Sequence, residues 1–141
     1  MTKEEEKQLL LKDICARLRY SLICKVTHKD SEGWKEENMV LSGIIYNEGY
    51  FTSENGSAYS YEFKPYLRPM SSITEEEKKI MRSRGFELIH YDTGYTGFCN
   101  KSYVDEVSFR FMDEFLNSHH FDYRGLIEKG LALEAPENMY K

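Results

Sequence analysis

A chain of 141 residues, 40% hydrophobic and 14% aromatic, is long enough to bury roughly two-thirds of its unfolded surface as one domain, which excludes a disordered chain. Its formal net charge of −5, with no basic stripe, weighs against nucleic acid as a partner. No apolar run reaches membrane-span length and the N-terminus is acidic rather than signal-like, so a cytoplasmic protein with no membrane contact is expected.

The first segment, "TKEEEKQLLLKDICARLRY", predicts an amphipathic helix. Thr2 and Glu5 have capping-box spacing, and Glu4, Glu5 and Glu6 suit the positive end of the helix dipole. Leu10, Leu11, Ile14, Cys15 and Leu18 make its apolar face, and Arg17 and Arg19 sit near the negative end.

The period then drops to two. Tyr20, Leu22, Cys24 and Val26 alternate with polar residues, and "NMVLSGIIY" is apolar on both faces, as a central strand is. Asn47-Glu48-Gly49 and Asn55-Gly56 are hairpin signals, the second the stronger. Tyr59, Tyr61 and Phe63 are expected to share one face of a fourth strand, and residues 20–64 to form an antiparallel meander of four strands. Pro65 and Pro69 are expected to end the sheet.

"SSITEEEKKIMRSRG" predicts a short helix capped by Thr74 and Glu77 and ended by Gly85. A second hairpin turns at Asp92-Thr93-Gly94. A long helix follows, with Val104, Val107, Phe111, Met112, Phe115 and Leu116 at helical spacing. His119 and His120 stand where that helix runs out. Asp122 is placed to cap a short last helix, "YRGLIEK", that Gly130 ends. The fold class is therefore α+β in a single globular domain, residues 1–141.

The candidate chemistry is sparse. Adjacent helical residues point about 100° apart, so His119 and His120 do not converge on one ion, and no HExxH or Glu-x-x-His spacing occurs. Cys15, Cys24 and Cys99 are odd in number and lack CxxC spacing, so they are read as reduced, mostly buried thiols. A nucleophilic pair of His90 and Cys99 has no third orienting group. No glycine-rich loop cradles phosphate. No metal, cofactor or catalytic residue is assigned. The corner from His119 to Asp122 is read as structural, with its energy in the Asp122 cap and in burial of Leu126 rather than in the imidazoles.

"YSYEFKPYLRP" interleaves aromatics with cations. Tyr59, Tyr61, Lys64, Tyr66 and Arg68 form the candidate interaction surface, either a protein contact or a stacking platform for single-stranded nucleic acid.

Three stretches, "LLLKDICARL" (9–18), "KPYLRPMSSITEEE" (64–77) and "HHFDYRGLIEKGLALEAPENMY" (119–140), resemble a group of small proteins encoded by phages and integrated mobile elements of gut Bacteroidetes. The tail carries the most specific part, and residues 86–103 depart from the pattern. The group brings no activity or site residue to carry over. The resemblance implies a setting: a bacterial cytoplasm during carriage of such an element. The leading expectation is a non-enzymatic accessory protein that binds a protein partner. Its rivals are a nucleic-acid-associated protein and a small enzyme using His90, Cys99 or the His119–Asp122 corner.

Overall fold

The computed structural model describes residues 2–45, 50–53, 56–59, 63–90, 96–100 and 106–140. Helix α1, Lys3–Arg17, opens with the expected reciprocal cap: the Glu5 N–H donates to Thr2 Oγ1 at 3.1 Å and the Thr2 N–H to Glu5 Oε2 at 2.6 Å. It runs into a 3-10 turn at Leu18–Tyr20, and Ser21, with φ at 55°, breaks the helical path. Its buried face is Leu10, Asp13, Ile14 and Arg17. Of the two cysteines whose side chains are described, Cys15 is exposed, not part of the apolar face, and Cys24 is buried.

Strands β1 (Ile23–Asp30), β2 (Gly33–Ile45), β3 (Tyr50–Ser53) and β4 (Gly56–Tyr59) pair in sequence, all antiparallel, as the meander requires. The Asn47-Glu48-Gly49 signal falls between β2 and β3, and Asn55-Gly56 falls where β4 begins, Gly56 being its first residue. Residues 46–49 and 54–55, which would make the turns themselves, lie outside the described residues.

Strand β5, Phe63–Leu67, corrects the expectation that one strand carries Tyr59 through Phe63. It leaves the meander and pairs with β1 on the opposite side from β2, giving the order β4-β3-β2-β1-β5 among the described residues, with a short last strand beyond β5. Pro65 does not end the sheet. It lies inside β5, opposite Cys24. Proline has no N–H, so Cys24 and Pro65 form a non-hydrogen-bonded pair, and the bare nitrogen points away from β1. On that side β8 (Leu133–Glu134) pairs in parallel only from Tyr66 onward. The ladder loses no bond.

Helix α2, Glu75–Ser83, carries the Thr74–Glu77 capping box, and Gly85 follows it with φ at 86°. Strands β6 (Phe86–His90) and β7 (Thr96–Asn100) form a separate hairpin, and residues 91–95 between them lie outside the described residues. Helix α3 is Glu106–Ser118. The short last helix is not formed. Residues 123–132 are turns and bends, followed by the two residues of β8. The reason lies in two glycines at positive φ, Gly125 at 73° and Gly130 at 72°, five residues apart. They leave room for one turn only, closed by Gly130 N–H to Ile127 O and Leu131 N–H to Leu126 O, a Schellman pattern.

Two apolar clusters result. The first packs Leu10 and Ile14 of α1 with Leu22, Cys24, Val26, Met39, Leu41, Phe63, Leu67 and the tail residues Leu126 and Ala132. The second gathers Met70, Ile73, Met81, Phe86, Phe115, Leu116 and Phe121. Alternation fixes the rest of the sheet: Cys24, Val26, Met39, Leu41, Phe63, Pro65 and Leu67 face the core, and their neighbours face out. Among the described residues no helix is long and apolar enough to cross a membrane.

Candidate functional site

Two places concentrate polar and aromatic side chains. One is the seam between the two clusters, formed by the segment His119–Asp122. Helix α3 ends there in a second Schellman pattern, with Phe121 N–H to Leu116 O at 2.9 Å and His120 N–H to Asn117 O at 3.1 Å. His120 takes the left-handed position, φ 58°, that glycine usually fills. The backbone then pairs with Arg68: its N–H donates to His120 O at 2.7 Å and the Asp122 N–H to Arg68 O at 2.8 Å.

Every strong charge in the seam has a partner. Arg17 and Asp13, both fully buried, pair through Nε–Oδ2 at 3.0 Å and Nη2–Oδ1 at 3.1 Å. Arg17 Nη2 also donates to Phe121 O at 2.6 Å, and Arg124 Nη1 to Asp13 Oδ1 at 2.6 Å. Arg68 grips Glu77 with both arms, at 2.9 and 2.7 Å, and its guanidinium lies 4.2 Å from the centre of the Phe121 ring. His119 Nδ1 donates to Glu77 Oε2 at 2.7 Å, and its ring stacks on Phe115 at 4.2 Å. Burial alone would raise the Glu77 carboxyl, but the bonds from Arg68, the Thr74 backbone and His119 outweigh it and hold it at about 2.

The second imidazole is held as firmly. His120 Nε2 donates to Tyr20 O at 2.9 Å and the ring stacks on Tyr140 at 4.0 Å. Burial first, then the Arg17 guanidinium, lower it to about 4, so it is neutral at physiological pH. The Tyr140 hydroxyl fills the place where the β1–β5 ladder opens, accepting from Ile23 N–H at 3.1 Å and donating to Tyr66 O at 2.7 Å. The imidazoles, expected to carry little of the corner's energy, each tie it to a different element.

Asp122 keeps the capping role without the helix, accepting from Leu126 N–H at 2.8 Å and Ile127 N–H at 3.0 Å. Asp122→Ala is expected to cost about 0.5–2 kcal/mol through these two orphaned donors. A urea melt showing no loss would remove the cap from the account.

Chemically, the Glu77–His119 pair resembles the orienting half of a catalytic dyad, and it lines a cleft of about 510 Å³ beside the tail residues Glu134–Tyr140. Its carboxylate, however, is shared with the bidentate Arg68, which takes up the charge a dyad lends to an imidazolium. The hydroxyls lining the same cleft are engaged: Ser72 donates to Pro69 O at 2.7 Å and lies 3.3 Å from Arg68 Nε, Thr74 Oγ1 accepts from the Glu77 N–H at 3.2 Å, and Tyr140 donates to Tyr66 O at 2.7 Å. The arrangement is a clamp joining β5, α2 and α3. Among the described residues no group of three His, Cys, Asp or Glu side chains could hold a metal ion.

The second place is the outward face of the sheet. Lys64 and Tyr66 of the expected surface lie there, on β5, with Lys64 exposed. Arg68 does not join them, because its side chain is drawn into the clamp. Tyr59 ends β4, opposite Tyr50, with three strands between it and β5, and Tyr61 lies outside the described residues. Sequence reasoning missed the residues of β1 and β2 that complete the face. Cross-strand register sets Ile23 beside Val40, Lys25 beside Asn38 and Thr27 beside Glu36, with Trp34 further out on β2. Trp34 is 68% exposed and Val40 39%. The Tyr66 hydroxyl crosses β1 to donate to Asn38 Oδ1 at 2.9 Å, and Lys25 meets Glu36 at 3.0 Å. A signal was available: in Trp34–Val40 the even positions hold apolar residues at both ends of the polar face.

Compared with known proteins, the chain matches no family model, no curated protein and no solved structure.

Proposed function

We propose that the chain is a non-enzymatic module, an accessory protein carried by a phage or integrated element in a bacterial cytoplasm, that binds a protein partner through the outward face of its sheet. The observation that carries this reading is Trp34, 68% exposed on the same face as Val40, Tyr66 and Lys64. Tryptophan and tyrosine give large contact area with a polar handle, and they are enriched where protein surfaces meet. The seam supports the same conclusion, since its paired charges (Arg17 with Asp13, Arg68 with Glu77) hold the fold together and leave little for catalysis.

Trp34 is the single tryptophan of the chain, so it also reports on the reading. The free protein is expected to emit like a solvated indole and to be quenched by iodide. In affinity capture from a Bacteroidetes lysate, wild type should retain a protein that Trp34→Ala loses, with nuclease treatment making no difference. The exposed substitution should move stability by no more than about 0.5 kcal/mol. Capture that survives Trp34→Ala, or that nuclease abolishes, would reject this face as a protein-binding site.

A further inference from the structure

Resting on that reading, we infer that the occupant of the face is an acidic protein segment, one that sets carboxylates over Lys64 and Lys25 and an apolar side chain against Trp34 and Val40. Three observations converge on it. Lys25 and Lys64 stand directly opposite one another across β1 and β5. Like charges so placed destabilise a sheet, and an anion seated between them reverses the sign of that interaction. Glu36 answers Lys25 from the diagonal position, and among the described residues Lys64 has no ion pair.

The second observation is the kind of polar group on offer. The Asn38 carbonyl oxygen is taken by the Tyr66 hydroxyl, so its amide presents N–H donors. With the two ammonium groups, the centre of the face is a set of donors. A ligand that satisfies them supplies acceptors, and an ionised carboxylate is acceptor-only. The third is charge contrast: on a chain of net charge −5, the described charged side chains of this face are Lys25, Lys64 and Glu36, a local excess of cations.

Phosphate oxygens are acceptors too, but a nucleic acid brings a dense line of charge that needs many cations. Among the described side chains one of two lysines is already paired, and Glu36 would face the phosphates. From Trp34 to Val40 the face spans about 20 Å, the reach of about six extended residues. A short segment with acidic and apolar side chains fits these dimensions.

The test is selection from a random linear peptide library on the intact protein, followed by titration of a synthetic copy of the most enriched peptide. Enriched sequences should pair Asp or Glu with an aromatic or aliphatic residue. The peptide should shift Trp34 emission, bind more weakly as salt rises, and lose about tenfold or more in affinity to Lys64→Glu. That variant removes the like-charge pair, so its melting temperature should not fall, and weaker binding cannot be charged to unfolding. Enriched peptides that are basic or uncharged, bound equally by Lys64→Glu but lost in Trp34→Ala, would overturn the acidic class and leave the protein-binding reading standing. Peptides indifferent to both substitutions would overturn both. An oligo-dT strand that binds more tightly than the peptide would overturn the inference in favour of nucleic acid.

Discussion

Arg17→Ala is expected to cost about 3–5 kcal/mol, because it leaves the buried Asp13 carboxylate with a single cation and takes a donor from Phe121 O. That is a large part of the 5–15 kcal/mol that holds a typical domain together, so the variant should be close to unfolding at body temperature. Asp13→Ala should be comparably damaging, since it strands Arg17, which is fully buried, and frees Arg124, which is only partly so. The double variant Asp13→Leu, Arg17→Met should lose less than the sum of the two singles, because no uncompensated pair partner remains within α1. Urea denaturation of the four proteins checks this. Single losses below about 1 kcal/mol would mean that the pair is solvated and that the seam is not where the stability lies.

Acidification should release the corner next. His120 is lowered from 6.5 to about 4 in the folded chain, so between those values the unfolded state binds a proton that the folded state does not. Its contribution, about 3 kcal/mol from the size of that displacement, is complete above pH 6.5 and is lost as pH falls through about 4. Glu77 adds a second, lower window. Its carboxyl is lowered from 4.5 to about 2, so the clamp holds in full above 4.5 and fails as pH falls through about 2. Denaturant melts across this range should show a steep decline that starts with His120. His120→Asn keeps a residue that tolerates positive φ, loses the stack on Tyr140, and should start less stable with a flatter profile between pH 6.5 and 4. An unchanged slope in that variant would assign the acid sensitivity to other groups.

These two results concern residues that the sequence presents very differently. The capping boxes at Thr2 and Thr74, the β1–β4 meander and the positions of α1, α2 and α3 were legible because each depends on residues close together in the chain. A hydroxyl three residues before a glutamate, or an Asn-Gly between alternating strands, acts locally whatever packs on it later. Asp13 and Arg17 were half legible. With Leu10 and Ile14 they complete an i, i+3, i+4, i+7 pattern, but a charged pair on that stripe reads as solvent-facing until a partner such as Phe121 O is known. Of the expected interaction surface, Lys64 and Tyr66 lie on the outward face of β5, and Arg68 does not.

What the chain determined by itself is α1, α2, α3, the β1–β4 meander and an α+β class, because helix caps, hairpin turns and hydrophobic period are short-range effects. Only the tertiary structure decided where β5 goes, why Pro65 is tolerated inside it, and which side chains share the open face. Those outcomes depend on pairings across long separations, such as Tyr140 closing the ladder between Ile23 and Tyr66, or His119 reaching Glu77. Such contacts form only after the chain has closed long loops, and local preference carries no record of which distant partner will be waiting.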